Sequence, residues 1–403
     1  MALYVVDKSE GEKVPFLRGI LTRSLVKAGL SFDEAYRVAD ETREKLSSRG
    51  EVTKEELRRV VAKALSSLEL DDVLSRYRAR GQQFTITVTG RDGVISPFSR
   101  VLLEQSLDIC ALGPEQMEHL LQAVEASVRS LGQTVVSSSH IARLVYQHLL
   151  EFTSKESAHR YLLWLEFNSS GTPLVLLIGG TTGSGKSTIA AELSHSLNIV
   201  RTQSTDMLRE VMRIMLPKRL LPTLHESSFS AYRAIPNSVD SISDTDSLEI
   251  GYLTQAERVG VAISAVLDRA VTEGVSIIIE GVHMHPELMR ELESKIDAIV
   301  VPVIVASTKK KNLRKQLKGR GKMLSSRRSQ RYMDNFESIW ALQTFLLSES
   351  ERLDVTIIPS TDLQDATSLM KEFIAEVLGR YYKADPEELL GKDKIKTAVS
   401  DSA

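Results

Sequence analysis

The run Gly180-Thr181-Thr182-Gly183-Ser184-Gly185-Lys186-Ser187-Thr188 constrains this chain more than any other stretch of it. Its glycines, lysine and hydroxyl stand at the spacing G-x-x-x-x-G-K-[ST], the pattern of a phosphate-binding P-loop. The flanks agree: the apolar run 174–178 reads as a strand, and 187–197 carries a helical pattern. Glycines let backbone N–H groups converge on phosphate oxygens where a Cβ would clash. The helix start adds a partial positive charge. Lys186 can reach the β- and γ-phosphates of a nucleotide, and the Ser187 hydroxyl can ligate Mg²⁺. A chance glycine-rich turn would match the spacing without needing both flanking elements.

The turn-rich stretch 168–173 separates this region from what precedes it. After it, short β-branched runs at 174–178, 199–203, 275–279, 298–305 and 355–358 alternate with helical patterns at 187–197, 206–215, 256–272, 286–293, 329–350 and 363–378. That alternation predicts an α/β P-loop domain over 173–382, with a doubly wound parallel sheet that binds ligands at the carboxyl ends of its strands. Residues 383–403 lack an apolar period and read as a flexible tail.

Glu280 ends the third apolar run, where an acid can serve the Mg²⁺ side of a P-loop site or simply cap a strand. His283 follows at the same edge and is a candidate substrate contact, whereas His285 reads as surface. Asp206, Arg209 and Arg213 share one face of the helix after the second run. The acid can accept a hydroxyl proton and the arginines can fork onto a carboxylate or phosphate. A helix cap followed by an ordinary ion pair fits the same residues. Between 309 and 331 stand eleven Lys or Arg and no Asp or Glu. This is either a solvated basic face or a mobile lid that closes over a transferring phosphate, with Arg320, Arg327, Arg328 and Arg331 as its candidates. Aromatic residues are missing from the run, which argues against single-strand nucleic-acid binding. The segment 221–232, with His225 and Arg233, is either an acceptor wall or packing structure, and Asp240, Asp244 and Asp246 read as a solvated loop.

The first 168 residues read as two copies of one mainly helical unit, 1–83 and 84–168. Pro15-Phe16-Leu17-Arg18 matches Pro97-Phe98-Ser99-Arg100, and Arg76-Tyr77 matches Arg160-Tyr161. The spacing grows along the repeat by a two-residue insertion. Each copy opens on a short strand, 3–6 and 84–88; Ser31 with Glu34 reads as a capping box, and Arg91-Asp92-Gly93 as a hairpin turn.

Net charge is −2, so nothing advertises a nucleic-acid or membrane partner. The longest apolar runs fall far short of the roughly 20 residues that span a bilayer. A single cysteine, Cys110, and a start without a signal-peptide pattern fit a cytoplasmic protein.

From Pro173 to about Tyr382 the chain resembles archaeal-type 2-phosphoglycerate kinase. The likeness rests on Ile178 through Thr188, on Thr205-Asp206-Met207-Leu208-Arg209-Glu210-Val211-Met212-Arg213, on 221–232, on Ile279-Glu280-Gly281-Val282-His283 and on Arg331-Tyr332-Met333-Asp334-Asn335-Phe336. The N-terminal copies are similar to the ATP-cone module, with Arg91-Asp92-Gly93 and Pro97-Phe98 carrying the likeness; Glu10-Gly11-Glu12-Lys13 departs from it in the first copy. The resemblance implies MgATP-dependent phosphorylation of 2-phosphoglycerate to 2,3-bisphosphoglycerate. Lys186, Asp206, Arg209, Arg327 and Arg331 would then be catalytic, Ser187 and Glu280 would hold metal, and Arg213, His283, Arg320 and Arg328 would line the acceptor. Another phosphorylated polyol as acceptor, or an ATP-sensing regulator without turnover, stays open, as does a homo-oligomer through the repeats.

Overall fold

The computed structural model describes residues 3–6, 13–47, 49–68, 70, 73–74, 86–235, 244–323 and 326–391, without the side chains of 27, 244–245 and 319–329. The described chain falls into two compact units, Met1–Ile86 and Thr87–Ala403.

In the first unit, β1 (Tyr4–Val6) pairs antiparallel with β2 (Lys13–Pro15) and parallel with β3 (Glu51–Thr53). Helices α1 (Arg18–Lys27), α2 (Phe32–Leu46) and α3 (Lys54–Ser67) pack through Leu21, Leu25, Val38, Val61 and Leu65. Ser31 and Thr53 each cap a helix in a reciprocal box with the glutamate three residues on. Each box satisfies two N–H groups that the helix start would otherwise leave unpaired.

The second unit opens on the same plan. Strand β4 (Thr87–Thr89) pairs antiparallel with β5 (Ile95–Pro97) and parallel with β6 (Val135–Ser137). Helices α4 (Arg100–Leu107), α5 (Pro114–Ser130), α6 (Ser138–Phe152) and α7 (Lys155–Ser170) accompany them. The inserted residues lie in α5, which has 17 residues where α2 has 15. The hairpin forms at Arg91-Asp92-Gly93, where Gly93 takes φ +80° and Asp92 Oδ1 accepts from Val94 N. Cys110 is buried, and burial pushes its thiol up to about 12.

The remaining strands, β7 (Leu174–Gly179), β8 (Arg201–Ser204), β9 (Ile277–Gly281), β10 (Ile299–Ala306) and β11 (Thr356–Pro359), form an all-parallel sheet in the order β11-β10-β7-β9-β8. The P-loop joins β7 to α8 (Lys186–Ser196); α9 (Thr205–Met215) follows β8. One face of the sheet packs on α10 (Asp244–Thr272) and α11 (Pro286–Lys295) through Val259, Ile263, Leu267, Met289 and Leu292. On the other, α8 packs against β9 and against α15 (Leu363–Leu378).

Several boundaries differ from the sequence expectation. Helix α10 starts at Asp244, so Asp244 and Asp246 are helical rather than looped; Asp240 lies outside the described residues. The stretch expected as one helix over 329–350 belongs to two, α13 (Ser326–Asp334) and α14 (Phe336–Arg352), which break at Asn335; the basic run before them is α12 (Lys310–Met323). The expected flexible tail is in part ordered. Asp385 caps α16 (Pro386–Leu390), Ala384 and Leu390 are buried, and the carbonyls of Leu389 and Leu390 accept from Arg91 and Arg143. The rest of the tail lies outside the described residues. No described helix is long and apolar enough to cross a membrane.

Replacing Ser31 or Thr53 by Ala removes one cap and should cost about 1 kcal/mol each. Urea unfolding of the full chain, followed by hydrogen exchange at α2 and α3, should show earlier opening of the helix that has lost its cap.

Candidate functional site

Sheet register brings the motifs together. Ile178, just before the P-loop, lies opposite Glu280, and Glu280 lies opposite Ser204, the last residue of β8. The loop after β7, the acid ending β9 and the start of α9 therefore share the carboxyl edge of three adjacent strands.

The loop backbone needs its glycines. Gly180, Gly183 and Gly185 take φ of +136°, +91° and +89°. A Cβ on Gly180 would stand 2.2 Å from the Val305 carbonyl oxygen, and one on Gly183 would stand 2.6 Å from Leu317 Cδ2. Thr181 and Ser184 are fully buried, and their hydroxyl oxygens have no hydrogen-bond partner among the described residues. Buried unpaired hydroxyls are costly, so these two mark a strained, closely packed loop. Lys186 is 5% exposed, and its Nζ donates to the Thr181 carbonyl at 3.0 Å, folded over the loop it would serve. These residues fit a nucleotide's phosphates.

Ser187 Oγ donates to Glu280 Oε1 at 3.1 Å. Among the described residues no cluster of three His, Cys, Asp or Glu could hold a metal. A hydroxyl beside one carboxylate is instead a donor set that suits Mg²⁺, which keeps several waters and takes further oxygens from substrate phosphates.

Gly281, with φ +156°, lets the chain turn inward after β9. A Cβ there would lie 1.8 Å from Thr205 Oγ1. This close approach seats His283 beneath the first turn of α9. The ring is fully buried, with Nδ1 2.9 Å from Thr205 Oγ1 and Nε2 3.1 Å from Gln255 Oε1. Burial lowers its pKa to about 4; Asp206 opposes that shift, and Arg209 and Lys186 add to it. The structure thus places His283 behind the site, not as the open contact expected from sequence. His285 is buried rather than superficial and caps α11 by accepting from Glu287 N.

Asp206 is at the mouth, its side chain 58% exposed, with Oδ1 4.0 Å from Arg209 Nε. Arg209 donates to the carbonyls of Leu224 (2.7 Å) and Glu226 (3.3 Å), which ties α9 to the 3₁₀ turn Pro222–His225. Arg213 is not brought to this group. It forks onto Glu210 at 2.6 and 2.9 Å and holds that carboxyl below its usual range. In the segment 221–232, Thr223, Leu224, Ser228, Phe229 and Ser230 are buried, and His225 Nε2 bonds the Leu216 carbonyl. Most of that segment is therefore packing structure.

The basic run has an apolar underside. Leu313 and Leu317 of α12 are fully buried with Phe229, Phe336 and Ile339, and they lie against Gly183. Arg314 stacks on Phe336 at 4.4 Å. Arg331 reaches Ser227 Oγ at 2.9 Å, and Arg233 reaches Asn335. The side chains of Arg320, Arg327 and Arg328 lie outside the described residues. Thr205 and Gln255 were not singled out from sequence. Gln255 carried a signal, being polar on the stripe of Tyr252 and Val259 and fully buried with them.

An ATP cone domain model matches residues 4–82 and 86–170. A 2-phosphoglycerate kinase from Pyrococcus furiosus is 33% identical over 77% of this chain and 100% of its own length. One from Thermococcus kodakarensis is 34% identical over 68% of this chain and 90% of its own. The chain belongs to the 2-phosphoglycerate kinase family. Beside this family match, a solved crystal structure from Thermus thermophilus covers 51% of this chain and 98% of its own, at 19% identity and a TM-score of 0.31. About a quarter of this 2-phosphoglycerate kinase family chain lies outside the match to the whole P. furiosus relative.

Gly281→Ala should lower kcat by about 100-fold, because the new methyl displaces Thr205 and the α9 start; misplacement near 1 Å suffices for that. Steady-state kinetics against wild type read this directly. Because the folded ring protonates only near pH 4 and the unfolded one near 6.5, stability should fall as pH drops through that window. Urea midpoints between pH 7 and pH 4 should show the slope, and His283→Gln should flatten it.

Proposed function

We propose that this chain transfers the γ-phosphate of ATP to the free hydroxyl of 2-phosphoglycerate, giving 2,3-bisphosphoglycerate and ADP. The observation that carries the reading is the Ser187–Glu280 hydrogen bond beside the P-loop, with Asp206 beginning the helix one strand away. The curated relatives named 2-phosphoglycerate kinase support the same acceptor.

In this reading Lys186 swings from the Thr181 carbonyl to the β- and γ-phosphates, and the backbone of 180–187 cradles the tail. Ser187 and Glu280 would hold Mg²⁺, which when bound would supply charge neutralisation at the phosphates. Asp206 takes the proton of the attacking hydroxyl. The new O–P bond forms in line as the bond to the β-phosphate oxygen breaks. Arg209, anchored by two carbonyls, and Arg331, on the lid, face the acceptor's carboxylate and phosphate. Arg320, Arg327 and Arg328 are proposed to close with the lid, and Arg213 is left out of the acceptor set. We place the reaction in the cytoplasm and propose self-association through the first repeat, where Ile20 and Phe32 are 64% and 66% exposed.

Lys186→Ala should abolish ATP-dependent formation of 2,3-bisphosphoglycerate, and Glu280→Gln should raise the Mg²⁺ concentration needed for half-maximal rate by about tenfold. Product is measured by phosphorus NMR, alongside a panel of other phosphorylated polyols. ADP release with one of these and none with 2-phosphoglycerate would falsify the acceptor assignment.

A further inference from the structure

Behind the proposed acceptor site runs a line of buried polar side chains whose hydrogen-bond directions are all fixed. Gln255 of α10 is fully buried, and its Nε2 donates to the carbonyls of Thr223 and Glu226. An amide that spends its donors on two carbonyls must turn its oxygen the other way. That oxygen faces His283 Nε2 at 3.1 Å and can only accept. Nε2 therefore carries the ring proton, and Nδ1 presents a lone pair. Thr205 Oγ1, 2.9 Å from Nδ1, must then be the donor. The order is set from one end: carbonyls orient the amide, the amide sets the tautomer, and the tautomer sets the hydroxyl.

The consequence falls on Asp206. Its Oδ1 lies 4.0 Å from His283 Nδ1, a distance at which a protonated ring would hold it as an ion pair. In the tautomer the network imposes, Nδ1 offers no proton to the carboxylate. Charged groups around the ring are Asp206 and Arg209 on α9 and Lys186 on α8. Burial, with the two cations, keeps the ring uncharged at neutral pH. The same line reaches the turn after α9, because the Glu226 carbonyl accepts from Gln255 and from Arg209.

We propose that Gln255, His283 and Thr205 are positioning residues, a directed hydrogen-bond line from α10 to the first turn of α9 that aims Asp206 at the acceptor and leaves its carboxylate free to take the hydroxyl proton. This rests on the reading of Asp206 as the group facing the acceptor. It assigns Gln255 and Thr205, both fully buried, a part in turnover rather than in folding alone.

The test uses the full chain with Thr205→Val, Thr205→Ser and Gln255→Leu. With 2-phosphoglycerate, Thr205→Val and Gln255→Leu should lower kcat by about 10- to 100-fold. Their dissociation constants for a nonhydrolysable ATP analogue should stay within about twofold of wild type, since P-loop contacts are kept. Thr205→Ser, which retains the donor, should keep kcat within about threefold. Nitrogen-15 NMR of the His283 ring should show the neutral Nε2–H tautomer in wild type and a mixture in Gln255→Leu. Wild-type kcat in Thr205→Val, equal losses in the Ser and Val variants, or a wild-type ring protonated at Nδ1 would overturn the inference. If wild type fails to phosphorylate 2-phosphoglycerate, the acceptor reading falls by itself and the ring spectrum still decides the hydrogen-bond line.

Discussion

The parallel pairing of β7 with β9 is the constraint on which the catalytic arrangement depends. It sets Ile178 beside Glu280, so the phosphate loop and the acidic side chain leave the sheet at the same level. In a sheet, a slip of one residue turns every side chain to the opposite face. A slip here would take the Glu280 carboxylate away from Ser187 and leave it in the core. The register is held by apolar residues on both faces, Val175, Leu177, Ile277 and Ile279 on one and Leu176 and Ile278 on the other, all buried. The position of a charged group is thus decided by close apolar packing several residues below it.

Glycine at 281 extends that control sideways. Without a Cβ there, the end of β9 can touch Thr205, and the first turn of α9 comes down onto His283. Arg209 then reaches the carbonyls of the following turn, and Gln255 meets the same turn from α10. Backbone carbonyls take the hydrogen bonds of both side chains, with the Asp206 and Glu210 carboxylates 4.0 and 3.7 Å from the Arg209 guanidinium.

Much of this was legible in the residues. The strands read as β-branched runs because they are buried on both faces, and the P-loop because its chemistry tolerates few substitutes. The repeat was visible in Pro97-Phe98 and Arg160-Tyr161, down to the two residues that α5 carries beyond α2. Strand order was not, since neighbours in a sheet are chosen by contacts far apart in sequence. His283 was read as open because it follows a strand edge; the inward turn at Gly281 depends on Thr205, 76 residues earlier. Arg213 shares a helix face with Asp206, but spacing does not say which carboxylate a flexible side chain will choose, and Glu210 is nearer. The helix at Pro386 could have been found: Asp385 before a proline and two glutamates is a helix-start signal in an otherwise polar stretch.

The basic helix α12 rests on the P-loop through Leu313 and Leu317, packed with Phe229 and Phe336. Any excursion of α12 away from the loop must wet these side chains. Hydration of apolar surface raises heat capacity, and its free-energy cost diminishes on cooling. If α12 serves as the lid proposed above, opening it carries that temperature-dependent cost through Leu313 and Leu317.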